Sequence, residues 1–380
     1  MRKMKLIALK DVCKINMGQS PNSSSYNDYG DGMPFFQGNA DFGERYPITR
    51  VWCNTPTKIA QAEDILISVR APIGALNYAK EECCIGRGLA AITPDRNKVS
   101  QDFIYWALKG KKAELNDKGN GSTFKAISRK ILEETMIPDI NFEQQHKCAE
   151  NLEKIYGIIQ NRRKELLALD DLIKARFVEM FGDPVTSLKG RKQVPFSEFM
   201  TDIKYGTSQP PQFSEDGEYK FIRATNIKKG RITEENMLRI SEAEAAKIQK
   251  CKLLGNEIII VRSGANTGDT CVVTTEYAEN YAGYDIIITL DLTKANPVYF
   301  NELINTHYME QIVKPLTARS AQPHLNTKQV QGMPMIVASM DEQNEFAVFV
   351  EQVHKSKVAV QKALDETQTL FDSLMQEYFG

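Results

Sequence analysis

The sequence predicts an α+β protein: two similar mixed α/β globular domains, each followed by a long helix, with the two helices packed lengthwise. Three observations carry this reading. The first is an internal repeat. A shift of 198 positions lays Glu179-Met180-Phe181-Gly182 on Glu377-Tyr378-Phe379-Gly380, and in the same register Glu153 meets Glu351 and Leu172 meets Leu370. Solenoid periods run to roughly 20–50 residues, so this is a duplicated domain with a duplicated helix. The second is a pair of heptad seams. Cys148, Leu152, Ile155, Ile159, Arg162, Leu166, Leu169, Ile173, Arg176 and Met180 alternate steps of four and three, and so do Phe346, Val350, Val353, Lys357, Val360, Leu364, Thr367, Phe371, Leu374 and Tyr378. The third is a repeated strand–Arg–turn: Asp64 to Arg70 leads into Ala71-Pro72-Ile73-Gly74, and Glu257 to Arg262 into Ser263-Gly264-Ala265-Asn266-Thr267-Gly268.

Along the chain this gives a globular domain over 1–141, a helix over 142–182, a polar basic linker over 183–194, a second globular domain over 195–341 and a second helix over 342–380. Asn141 and Asp341 are the expected N-caps, with acids in the first turn facing the helix dipole. Gly182 followed by Asp183-Pro184 ends the first helix. Shorter helices are expected over 103–115 and 299–313. A turn recurs near the start of each domain, at Gly18-Gln19-Ser20-Pro21 and Gly206-Thr207-Ser208-Gln209-Pro210. Polar residues interrupt both seams: Arg162 and Arg176 in one, Lys357 and Thr367 in the other. Each helix packing on its own domain is the plainer reading; pairing of the two accounts for seams longer than a small domain needs.

Composition narrows the class. The 380 residues are 42% hydrophobic and 26% charged, as in ordinary globular proteins. No apolar run reaches the ~20 residues of a membrane span, and the basic start before Leu6-Ile7-Ala8-Leu9 is too short for a signal peptide, so a cytoplasmic location is expected. Seven scattered cysteines and four separate histidines suggest neither a disulfide framework nor a metal site. A net charge of −1 leaves nucleic-acid binding open, because affinity for phosphate depends on where Lys and Arg sit. Asn296-Pro297-Val298-Tyr299 lacks the second proline of an adenine methyltransferase motif. Gly264-Ala265-Asn266-Thr267-Gly268-Asp269 lacks the Gly-Lys-Ser/Thr ending of a phosphate loop. No catalytic constellation emerges.

The duplicated halves with their following helices, the Arg70 and Arg262 turns, the Glu143-Gln144 and Glu342-Gln343 helix entries and the repeated Phe-Gly helix ends together resemble the specificity (S) subunit of a type I restriction–modification system. The resemblance spans the chain. It implies that each globular half is a target-recognition domain reading one half of a split DNA sequence, and that the helices form an antiparallel coiled coil between them. It implies a non-catalytic subunit: methyltransferase (M) subunits bring S-adenosylmethionine chemistry, restriction (R) subunits bring ATP-driven cleavage with magnesium, and this chain holds no cofactor or metal. A forty-residue helix, roughly 60 Å at ~1.5 Å per residue, is long enough for modules one DNA turn apart. A two-lobed scaffold that binds no DNA is the alternative. Arg reads guanine, Asn and Gln read adenine, and Ser and Lys hold phosphates. On that chemistry the candidate DNA contacts are Gln19, Ser20, Gln37, Asn39, Arg70, Lys125 and Arg129 in the first half. In the second they are Ser208, Gln209, Arg223, Asn226, Arg262, Asn266, Arg319, Gln322 and His324.

Overall fold

The structure, a computed structural model, describes residues 5–119, 125–186, 188–317 and 324–380. The chain divides into two units. Unit 1 is Met1–Arg163 with Lys362–Gly380, and unit 2 is Lys164–Gln361. Each unit therefore holds one globular half and a piece of both long helices.

In unit 1 the core sheet has four strands. Cys13–Met17, Leu89–Pro94, Ile65–Ser68 and Leu76–Tyr78 lie side by side in that order, all antiparallel. Ile65, Leu66 and Ile67 are all fully buried, which explains a strand that is apolar on both faces. A second sheet is built around the parallel pair Met33–Phe36 and Cys83–Ile85. Helix Gln101–Gly110 covers the core with Phe103, Trp106 and Leu108, and a separate short helix follows over Lys112–Asp117. Leu6–Ala8 pairs with Met136–Pro138, next to the start of the long helix Phe142–Phe181.

Unit 2 repeats the plan. Met200–Tyr205, Ile286–Leu290, Ile258–Ile260 and Thr270–Val272 form the four-stranded sheet, and Tyr219–Ile222 with Tyr281–Ala282 is the parallel pair of the second. The helix after the sheet is Pro297–Ile304, two residues earlier at its start than the expected Tyr299. Asn296 caps it by accepting the Val298 N–H at 2.9 Å, and Pro297 fills the first turn, where no N–H is needed. A π-helical segment at Met309–Val313 follows and runs on into a short helix over Lys314–Thr317. Gln193–Pro195 pairs with Pro334–Ile336, as Leu6–Ala8 pairs with Met136–Pro138 in unit 1. The described part of 183–194 is tied down rather than a loose tether. Lys189 Nζ donates to the Glu179 carbonyl at 2.7 Å, and Arg191 binds Glu342 at 2.6 Å.

The long helices, Phe142–Phe181 and Met340–Phe379, run antiparallel within each unit. In unit 1 Asn151 meets Tyr378 at 3.3 Å, and Arg162 donates to Thr367 and to the Ala363 carbonyl. In unit 2 Asp170 pairs with Lys357, and Arg176 with Glu345 at 3.0 Å. Of the polar breaks, Arg162 and Thr367 therefore meet each other, whereas Lys357 and Arg176 each pair with an acid that lies off the facing seam. The first helix opens on a reciprocal cap between Asn141 and Gln144. The second opens on Ser339, which exchanges hydrogen bonds with Glu342, so Ser339 and not Asp341 is its cap.

Candidate nucleic-acid interface

Strand register fixes which loops share one end of each core sheet. In unit 1 Met17 lies opposite Ala90, Leu89 opposite Ser68, and Ile67 opposite Leu76. The segments just beyond these residues therefore emerge together: Gly18-Gln19-Ser20, Arg87-Gly88, Val69-Arg70 and the turn before Leu76. The parallel strand ending at Phe36 adds Gln37 to the group. Ser20 Oγ accepts from Gln37 Nε2 at 3.0 Å and from the Arg87 N–H at 3.2 Å. Glycine is required here by contact distance. A Cβ on Gly18 would lie 2.2 Å from the Gly86 carbonyl oxygen, and one on Gly88 would lie 2.4 Å from that of Gln37. The loops interlock, and Arg87 is left exposed between two glycines.

Arg70 is also exposed and is bridged to Ala126, and the Ala71 N–H donates to the Lys125 carbonyl at 3.1 Å. Lys125 is thereby carried to the same end. Asn39 lies in the turn after Gln37, which Asp41 closes by accepting the Gln37 N–H at 2.7 Å. Arg129 is elsewhere. It pairs with Glu133 at 2.7 Å and lines a cleft with Lys10 to Ile15, beside the opposite end of the first core strand.

The matching end of unit 2 carries Gly206 to Gln209 after Tyr205, Tyr284-Asp285 before Ile286, and Arg262 after Ile260. Gly206 repeats the packing of Gly18, since a Cβ there would lie 1.6 Å from the Gly283 carbonyl oxygen. Ser208 and Gln209 are exposed in this turn. The Arg262 guanidinium sits 4.4 Å from the Tyr205 ring centroid and 4.7 Å from that of Tyr284, a doubly stacked cation held by both quadrupoles. Its Nη2 lies 3.4 Å from His324 Nε2, and its backbone N–H donates to Asp285 at 3.0 Å. Burial lifts the Asp285 carboxyl to about 6, against the pull of Arg262. Asn266 reaches the Ala224 carbonyl at 3.4 Å, which ties the loop after Arg262 to the turn after Arg223. Arg223 is half-buried and donates to the Asn236 carbonyl at 2.9 Å.

Asn226 requires a correction. It is fully buried. Its amide donates to the Thr233 and Glu235 carbonyls, and its oxygen accepts the Arg223 N–H at 3.2 Å. It closes the turn after its strand as Asp41 does in unit 1, and has no face left to read a base. Arg319 and Gln322 lie outside the described residues. Residue reasoning missed Arg87, Tyr205 and Tyr284. The signal was present in the glycines, because Gly86 and Gly283 follow equivalent parallel strands and each precedes one of the overlooked residues. Among the described residues no cluster of three His, Cys, Asp or Glu side chains is placed to hold a metal ion, and no helix is long and apolar enough to cross a membrane.

The geometry therefore defines a duplicated pair of loop clusters, each rich in arginine and amides at one end of a core sheet. Residues 1–168 and 200–367 both match the type I restriction modification DNA specificity domain, so the chain belongs to that family and carries its domain twice. It is 20% identical over 405 residues to the type I restriction enzyme EcoBI specificity subunit of Escherichia coli, covering 97% of this chain and 83% of that protein. A shorter match is 47% identical over 152 residues to the putative MjaX specificity subunit of Methanocaldococcus jannaschii; it covers 40% of this chain and only 36% of that protein. The crystal structure of the type I S subunit from M. genitalium has the same fold, with a TM-score of 0.63 at 14% identity over 100% of this chain and 97% of that one.

Proposed function

We propose that this chain reads a bipartite DNA target, one half-site through the loop cluster of each unit, for a type I restriction–modification complex. The observation that carries the reading is the coincidence of two family matches with two equivalent loop clusters. The chain itself does no chemistry in this proposal. M subunits dock on it and supply S-adenosylmethionine-dependent methylation, and R subunits supply ATP- and magnesium-dependent cleavage, in the cytoplasm. The stacked Arg262 and the exposed Arg70 and Arg87 suit base or phosphate contact, because a guanidinium can bind guanine or phosphate with two parallel hydrogen bonds.

The test is adenine methylation of a randomised duplex library by this chain with its M subunit. Methylation at a split site with two separated specific halves is the expected result. A single contiguous site, or salt-independent binding to DNA, would refute the reading, since phosphate neutralisation makes affinity fall with salt.

A further inference from the structure

The duplication places one cavity of each unit at equivalent positions. In unit 1 the Ser100 N–H donates to Gln145 Oε1 at 2.7 Å, and in unit 2 the Asn296 N–H donates to Gln343 Oε1 at 2.8 Å. Counting from these bonds, Trp106 matches Glu302, Lys109 matches Asn305, Glu153 matches Glu351 and Tyr156 matches His354. The shift of 198 positions also matches Phe371 with Ile173.

In unit 1 this place is filled and neutralised. Trp106 packs against Tyr156 at 5.4 Å and Phe371 at 5.7 Å between ring centroids, and Lys109 Nζ lies 3.7 Å from the Tyr156 centroid. Arg45, on the hairpin bridged at Phe42 and Pro47, pairs with Glu153. The remaining cavity is about 460 Å³.

In unit 2 Glu302, His354 and Ile173 stand where unit 1 has Trp106, Tyr156 and Phe371, and the arginine has lost its acid. Arg231 sits on the corresponding hairpin, where Ile227–Lys228 pairs with Arg231–Ile232. Its guanidinium has no hydrogen bond or ion pair among the described residues, and Nη2 is buried without an acceptor. The nearby acids are engaged: Glu351 pairs with Lys355 at 2.7 Å, Asp170 with Lys357, and Glu302 accepts from Asn301 at 3.1 Å. Arg231, Glu302 and His354 line two cavities at once, of about 690 and 340 Å³. The larger is walled by Val272, Val298, Val350 and Tyr277.

We propose that the unit 2 cavity binds a monocarboxylate ligand, with its carboxylate on Arg231 and its apolar body against Val272, Val298 and Val350. The internal precedent is Arg45, which takes a carboxylate at the same place in unit 1. A buried guanidinium N–H without an acceptor is costly, so a ligand that supplies one gains a charge-assisted bond. Glu276 and Glu351 on the lining disfavour a dianion such as phosphate. Burial lifts Glu302 to about 7 and pushes His354 down to about 4. Near neutrality the imidazole is therefore uncharged, and the glutamic acid can donate to the incoming carboxylate.

The carboxylate could belong to a free acid or to a peptide end. Saturation-transfer NMR on the full chain at neutral pH distinguishes them with 4-methylvalerate, N-acetyl-leucine and, as a neutral control, 4-methylvaleramide. Binding of either acid but not of the amide is expected, weakened about tenfold or more by Arg231→Gln and unchanged by Arg45→Gln. N-acetyl-leucine binding alone identifies a peptide carboxyl end as the source; binding of 4-methylvalerate identifies a free acid. The double change Glu302→Trp with His354→Tyr rebuilds the unit 1 filling and should abolish binding while the melting temperature holds, which guards against an Arg231 variant that misfolds. Equal binding of acid and amide, no transfer from either acid, or full affinity in folded Arg231→Gln would overturn the proposal.

Discussion

Arg262 is a surface-end cation that its neighbours hold in one place. Two tyrosine rings and His324 fix the guanidinium before any ligand arrives, so less rotamer entropy remains to be lost on binding. Arg70 is exposed, and among the described residues no ring stacks on it. Arg262→Ala is expected to weaken DNA binding by about 1–3 kcal/mol at one base position if the contact is bidentate to a base. If it touches phosphate instead, affinity should fall evenly across sequences and the salt slope should drop by about one. Binding profiles over a randomised site at several salt concentrations separate the two, and no change in either quantity would remove Arg262 from the interface. At this scale the sequence was readable where a residue type repeats at a strand end, as Arg70 and Arg262 do. It misled at Asn226, whose carbonyl partners come from a turn seven to nine residues away. A polar loop residue and a polar turn-former look alike until that turn closes.

Among the elements, the long helices were the most legible, because the 3–4 spacing leaves a continuous seam. Their polar breaks were legible only as breaks. That Arg162 faces Thr367, and Lys357 faces Asp170, depends on antiparallel register, which neither helix encodes alone. Phe177 lies outside the seam yet is fully buried, packing at 5.5 Å on Phe346 and 5.6 Å on Tyr299, because the globular half covers a second face of its helix. The start of the second long helix gives a pH prediction. The Glu342 carboxyl is held at about 2, first by its bond to Arg191 and then by the Ser339 N–H. Its folded value is below the ordinary 4.5, so its stabilisation is present above pH 4.5 and is lost as pH falls toward 2. Because the side chain is 37% exposed, solvent screening reduces the effect to ~1 kcal/mol. Glu342→Gln should lower thermal stability at pH 7, and the loss should shrink as pH falls through about 2. An equal loss at both values would assign the effect to packing rather than charge.

For the whole molecule, duplication is the organising fact, and it was visible in the sequence before any contact was known. What the sequence did not show is where one reader ends. A division at the helix start looks natural from composition, yet unit 1 includes residues 362–380. Helix Gln101–Gly110 seats Trp106 on Phe371 and Phe103 on Phe379, at 5.7 and 5.6 Å between centroids, and a Cβ on Gly110 would lie 3.2 Å from the Phe379 side chain. These contacts join residues more than 250 positions apart, so no local pattern announces them. They lead to a specific outcome for domain exchange. Replacing only 1–141 with the corresponding part of a relative sets foreign side chains against Phe371 and Phe379. A poor fit there costs about 3–5 kcal/mol for each large aromatic that loses its packing. Replacing 1–163 together with 362–380 keeps that core intact. The larger exchange is expected to fold with the parent's melting temperature, change one half-site in a methylation profile run with the M subunit, and leave the other half-site unchanged. The smaller exchange should show the same change of half-site at a lower melting temperature. If both exchanges are equally stable, the helix contacts do not belong to the reader. If either one alters both half-sites, the two units do not read independently.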